Sequence, residues 1–368
     1  MKIKTLIVDD TIAYRKIMTQ VVNQFEEIEL TGTAINGVDA LRKLKVSNVQ
    51  LVLLDVFMPE MDGVATLKEI RKHYPHILVI MISGQTTRNA DITIKALELG
   101  AIDFILKPSG NNVVVNMAEL KLRVKNILQL VRIKLKLNSI QSNIKKPAVP
   151  GIKKPFVPTT SAFVKPPQRL SASVPKNFRI LVIGSSTGGP EALNKFIVNL
   201  PQDLPVPVVI VQHMPPIFTK FLADSLDKKS KLKVVEAMEG MKLEPRHVYL
   251  APGGKHMIIR EIGGERIIGT NDNPPENSCR PAVDVLFRSV ASVYKDSGVL
   301  VVILTGMGQD GMKGVKALKK RKCFCITQTA VTCVVYGMPK AVDDEQLSDR
   351  SVDIEKMASN VESLIKGT

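Results

Sequence analysis

A chain of 368 residues is too long for one ordinary domain, and two are expected. Its 45% hydrophobic and 23% charged residues are those of a globular protein, and no apolar run is long enough for membrane insertion. The net charge of +16 would suit nucleic acid, but fourteen Lys and Arg and no acidic residue lie between Glu119 and Glu191. The excess therefore belongs to a connector, and specific nucleic-acid binding is not expected.

The opening stretch MKIKTLIVDDT reaches two aspartates after a few apolar residues and has no small-residue cleavage site, so no signal peptide is expected. Up to about residue 110, apolar runs at Thr5–Val8, Val49–Leu54, Ile77–Ile82 and Ile102–Leu106 alternate with helical periods. The clearest period puts Tyr14, Ile17, Met18, Val21, Val22 and Phe25 on one face. Such alternation predicts a parallel sheet covered on both sides. Apolar residues at 117, 120, 124, 127 and 131 then predict a long closing helix to about residue 140.

Asp9 and Asp10 close the first strand and Asp55 the third, while Ser83 and Lys107 end the fourth and fifth. In a parallel sheet these ends share one edge. Three converging carboxylates repel one another unless a cation joins them, and oxygen-only ligands suit Mg²⁺. A hydroxyl and an ammonium at the same edge suit phosphoryl oxygens. VDD at 8–10, Asp55 with Met58-Pro59 and Asp62-Gly63, Ser83, and Lys107-Pro108 resemble a response-regulator receiver domain over roughly residues 1–122. The resemblance implies a flavodoxin-like, five-stranded parallel sheet and phosphorylation of Asp55 by a histidine kinase. It also implies Mg²⁺ at Asp9, Asp10, Asp55 and the Phe57 carbonyl, phosphoryl oxygens on Ser83 and Lys107, and Phe104 at the aromatic switch position. A basic helical extension (123–142) follows, then a Pro/Lys-rich linker (143–177) with seven prolines.

Over 178–368 the alternation resumes, with runs at Ile180–Ile183, Val206–Val211, Val248–Ala251, Val299–Leu304 and Cys323–Thr327. The first run ends in GSSTGGP. A dinucleotide fingerprint would need glycine in place of Ser186 and a carboxylate after the next strand, which ends instead in Gln212-His213; a P-loop would need GKS or GKT. GSSTG does fit G-x-S-x-G, an elbow that presents a serine and leaves helix N–H groups free for an oxyanion. Serine needs a base and an orienting acid. His213 ends the next strand, and Asp310 lies in the turn after VLVVILTG. His247, ahead of its strand, and His256, after a hairpin turn expected at Gly253-Gly254, are weaker candidates. The chain order Ser186, His213, Asp310 differs from the Ser, Asp, His order of α/β-hydrolases. Cys279, Cys323, Cys325 and Cys333 form no metal-binding pattern and suit reduced thiols in a cytoplasm.

The stretches IGSSTGGPEAL, VQHMPPIFTKFLADSL, YLAPGGKHM, CRPAVDVLFRS, ILTGMGQDGMKG and VVYGMPKA resemble the catalytic domain of chemotaxis protein-glutamate methylesterases, which also act as protein-glutamine glutaminases. A receiver followed by this domain is that family's arrangement. The resemblance implies a second, doubly wound α/β domain that hydrolyses glutamyl methyl esters of methyl-accepting chemoreceptors without a cofactor. It implies an oxyanion hole from the backbone N–H groups of Thr187 and Met307, and a receiver that covers the catalytic edge until Asp55 is phosphorylated. Thr329 and Ala330 stand where members usually carry two acids at the site rim. The alternatives are a receiver with a binding output and a catalytically impaired scaffold on the same fold.

Overall fold

The computed structural model describes residues 2–108, 116–118, 120–125, 127–128, 131–132, 135, 175, 177–295 and 298–367. Apart from 175 and 177, the linker expected at 143–177 lies outside the described residues, as does most of the extension expected at 123–142.

The first sheet runs β2-β1-β3-β4-β5, from β1 (Ile3–Val8), β2 (Ile28–Ala34), β3 (Leu51–Asp55), β4 (Leu78–Ser83) and β5 (Asp103–Leu106), all paired in parallel. Strand β2 has no apolar run to announce it, because an edge strand buries little: only Ile28 and Ala34 of IELTGTA are buried. Asn36, Asp62 and Thr86 cap three of the intervening helices by accepting from the N–H groups of Asp39, Ala65 and Asn89. The described part of the closing helix buries Leu120, Val124, Ile127, Leu128 and Val131 in a cluster that also includes Val334 and Val335 of the second half.

The second sheet has seven parallel strands in the order β14-β13-β12-β6-β7-β9-β8. They are β6 (Ile180–Ser185), β7 (Val208–Gln212), β8 (Lys233–Glu236), β9 (His247–Leu250), β12 (Val299–Ile303), β13 (Phe324–Gln328) and β14 (Arg350–Val352). Between them β10 (His256–Ile262) and β11 (Glu265–Asn271) form a separate antiparallel hairpin. Its turn is Gly263-Gly264, with φ of 60° and 81°, the left-handed pair that a type I′ hairpin turn requires. The hairpin turn expected at Gly253-Gly254 is therefore only the bend that leads into β10. The short edge strands β8 and β14 likewise lack a legible apolar run. Strand β6 lies between β12 and β7, so the strand order reverses beside it and opens a crevice at the C-terminal ends.

The two halves meet face to face. The receiver helix Thr87–Glu98 packs on the helices Phe218–Asp227 and Gly189–Ile197. Phe104 stacks on Phe218 with centroids 4.8 Å apart, and Glu98 accepts from Ser225 at 2.7 Å and pairs with Lys229 at 2.6 Å. No helix among the described residues is long and apolar enough to cross a membrane.

Candidate active site

Ser186 follows β6 directly and turns the chain into the helix Gly189–Ile197. The turn depends on Gly188, whose φ of 75° is left-handed and where a Cβ would drive into Val334. Gln212, at the end of β7, braces the elbow: its Oε1 accepts from Ser185 Oγ at 2.7 Å, and its Nε2 donates to Ser186 O at 2.9 Å. Gly306 brings the loop after β12 against Ser186, whose Cβ leaves no room for a side chain there. The Ser186 hydroxyl itself has no protein partner among the described residues.

His213 directly follows β7 and donates from Nε2 to Asp310 Oδ2 at 2.7 Å. Asp310 is 2% exposed and also accepts from Val283 N–H (2.6 Å), Asp284 N–H (3.0 Å), Gly311 N–H (3.0 Å) and Asn277 Nδ2 (2.8 Å). Burial opposes its charge, yet His213 and these donors hold its carboxyl below the ordinary range. Burial also opposes charging His213, but Asp310 and Cys279 prevail and lift the imidazole to about 9. The other ring nitrogen, Nδ1, faces Cys279 Sγ at 3.4 Å. Ser186 and His213 line one cavity of about 240 Å³ without a hydrogen bond between them. His256 is no competing base: it is 1% exposed and locked between Ala282 N–H and the Pro274 carbonyl.

Thr187 and Met307 line the same cavity, and neither backbone N–H has an acceptor among the described residues. Two such donors beside a serine suit a developing oxyanion. Thr329 and Ala330 do not line this cavity; Thr329 ties its loop to Asp353 instead.

The receiver supplies the opposite wall through Asp103, Phe104, Arg123 and Ile127. Asp103 accepts from Thr187 Oγ1 at 2.9 Å, and burial lifts its carboxyl to about 6 against the donors Phe104 N–H and Thr187. A carboxyl raised on docking binds protons more tightly when docked, so its docking penalty is absent below about pH 4, grows toward pH 6 and is complete above. The two halves are therefore held together more firmly at pH 5 than at pH 7.5. The docked-to-undocked ratio of the two halves, read by small-angle scattering, should fall by ~10-fold across that interval, and Asp103→Asn should flatten the fall. A slope that survives in Asp103→Asn would assign the titration elsewhere.

At the receiver's own edge, carboxylate oxygens of Asp9, Asp10 and Asp55 lie within 4.8 Å of one another. Lys107 Nζ bridges Asp9 (2.7 Å) and Asp55 (2.9 Å). Burial lifts Asp55 to about 7 despite Lys107, with the Asp9 charge adding to the rise. An all-oxygen, mutually repelling set of this kind fits a hard divalent cation. Ser83 ends β4 as expected, but its hydroxyl accepts from Thr93 Oγ1 at 2.7 Å and does not bond to Asp55. Phe57 lies in the loop after β3 with the Arg88 guanidinium over its ring.

Asn277 and Asp103 carry no pattern that marks them in sequence. Cys279 opens the stretch CRPAVDVLFRS and Gln212 is the polar neighbour of His213 at an apolar strand's end, but neither signal reveals a role.

Residues 181–361 match the family profile described as CheB methylesterase, and residues 5–119 match that of the response regulator receiver domain. A protein-glutamate methylesterase/protein-glutamine glutaminase of Desulfotalea psychrophila is 41% identical over 367 residues, covering 99% of each chain. Its counterpart from Halalkalibacterium halodurans is 38% identical over 98% of this chain and 97% of its own. The crystal structure of the Thermotoga maritima CheB methylesterase catalytic domain is 43% identical and covers 52% of this chain and 100% of its own, with a TM-score of 0.50.

Proposed function

The chain belongs to the protein-glutamate methylesterase/protein-glutamine glutaminase family, and on that premise we propose that Ser186, His213 and Asp310 are the triad with which it demethylates and deamidates chemoreceptors under control of receiver phosphorylation. What carries this reading is the single cavity that holds Ser186, the Asp310-bound His213 and two N–H groups without acceptors.

With Nε2–H on Asp310, the basic nitrogen of His213 is Nδ1, which exchanges the Cys279 thiol for the Ser186 hydroxyl as substrate enters. Ser186 Oγ attacks the γ-ester carbonyl while its proton passes to Nδ1. The carbonyl electrons move to oxygen, which rests on the Thr187 and Met307 N–H groups. Asp310 stabilises the imidazolium and keeps the ring oriented. Collapse of the intermediate expels methanol, which takes the His213 proton. Water then attacks the glutamyl-serine ester, giving its proton to His213, and the Ser186 oxygen leaves and is reprotonated. With glutamine, ammonia leaves in place of methanol.

In the receiver, Asp55 takes a phosphoryl group from the phosphohistidine of a chemotaxis kinase as the N–P bond breaks. Mg²⁺ held by Asp9, Asp10, Asp55 and the Phe57 carbonyl would supply positive charge for the phosphoryl oxygens. Lys107, already on Asp55, is placed to bind one of those oxygens, and Ser83 another after leaving Thr93. We place the protein in the cytoplasm, with the receptor glutamates and the kinase.

Methanol release from membranes bearing methylated receptors, and ammonia release from receptors carrying glutamine, test the proposal directly. Both should rise by ~10-fold or more when the full chain is treated with acetyl phosphate. No methanol from either form would rule out an esterase and leave the scaffold reading.

A further inference from the structure

Residues Glu276–Cys279 form a turn closed by Cys279 N–H on Glu276 O (2.9 Å) and Glu276 N–H on Cys279 O (3.1 Å). Its central residues, Asn277 and Ser278, have φ of 52° and 63°. Two consecutive left-handed residues make a type I′ turn, which favours asparagine at its first central position. Arg288 pins the turn with two bonds to Glu276, at 2.7 and 2.5 Å. Held in this way, the Asn277 amide nitrogen donates to Asp310 Oδ1 at 2.8 Å and to Asp284 Oδ2 at 3.1 Å.

Asp284 has no part in the hydrolysis described above, yet it is 1% exposed and adjoins the triad acid. Its other oxygen accepts from Gly314 N–H at 2.6 Å. Burial pushes its carboxyl up against that N–H, and the Asp310 charge pushes it further. Neighbouring buried carboxylates tend to share a proton, because both cannot ionise without a donor between them. A proton on Asp310 would strip the His213 imidazolium of its counter-charge. An uncharged NH₂ offers one N–H to each carboxylate; a hydroxyl offers one in all, and a carboxylate none. The charged groups acting on this pair are His213, Glu276 and Arg288, with Lys313 acting on Glu276.

We propose that Asn277 is a positioning residue for ester hydrolysis: by bridging Asp310 to Asp284 it keeps Asp310 anionic with Oδ2 on His213. Its role presupposes Ser186, His213 and Asp310 as the triad proposed above.

Removing a donor beside the pair makes every neighbouring site bind protons more readily, so the acid limb of the rate profile should move to higher pH. The full chain, treated with acetyl phosphate, would be assayed for methanol release from methylated receptor membranes between pH 5.5 and 9.5. Asn277→Ala should lose about 10- to 100-fold in kcat with KM nearly unchanged, and its acid limb should rise. Asn277→Asp should shift the limb further, and Asn277→Ser, with one donor, should fall between wild type and Asn277→Ala. Because the limb position is independent of the amount of folded enzyme, a less stable variant still reports. A wild-type limb in all three variants, with Ser186→Ala inactive, would overturn the role of Asn277 and leave the triad standing. Activity in Ser186→Ala would instead remove the triad, and the role of Asn277 with it.

Discussion

Ser186→Ala should reduce methanol release by roughly 10⁴- to 10⁶-fold while leaving the fold intact. The size of the loss follows from the proposed triad: without Oγ no glutamyl-enzyme would form, and only the proposed oxyanion donors and substrate binding would remain to speed attack by water. The intact fold follows from the structure, since the Ser186 hydroxyl has no partner to lose and the elbow is held by Gln212 and Gly188. The thermal midpoint should therefore stay close to that of the wild type, because a half-buried serine with an unpartnered hydroxyl contributes within ~0.5 kcal/mol. His213→Ala should lose a comparable factor, because the serine then has no base. If Ser186→Ala kept a tenth of the wild-type rate, the nucleophile would have to be sought elsewhere. Cys279, in contact with the same imidazole, would be the first residue to replace.

The second large effect is expected at the interface between the halves, where Phe104→Ala combined with Glu98→Ala should switch on the unphosphorylated chain. The Phe104–Phe218 stack contributes about 1 kcal/mol beyond its buried area. The Glu98–Lys229 pair, with Glu98 largely buried, contributes about 1 kcal/mol more. Together, and before the apolar area that Phe104→Ala also forfeits is counted, about 2 kcal/mol is roughly 30-fold in the closed-to-open equilibrium, and unphosphorylated activity should rise by that factor or more toward the phosphorylated level. Phosphorylation should then add little. Phe104 and Lys107 share β5 and the loop that follows it, so under the proposed phosphorylation of Asp55 a phosphoryl group that draws Lys107 away from Asp9 would act on the same element that packs on the catalytic domain. Wild-type basal activity in the double variant would locate the inhibitory contact elsewhere, with Asp103–Thr187 the next to cut.

Two kinds of information separate along this chain. The positions of Asp9, Asp55, Lys107, Ser186 and His213 are legible in the sequence because each directly follows or ends a continuous apolar run. A short run buried on both faces, alternating with amphipathic helices, suits an interior parallel strand, and the ends of such strands share an edge. The same logic fails for β2, β8 and β14, since an edge strand buries too little surface to impose a pattern. It fails again where the partner lies far away in the chain. Asp103 is an ordinary strand-opening aspartate until docking sets Thr187 against it, 84 residues on. Asn277 and Cys279 belong to a polar loop with no periodicity, and only the closed turn carries them onto Asp310 and His213. Apolar patterning thus fixes which residues stand at the catalytic edges, because burial is a local property of each strand. Which nitrogen of His213 faces Asp310 and which faces Cys279, what surrounds Asp310 and what covers the site depend on directional bonds between distant segments, and those exist only once the chain has packed.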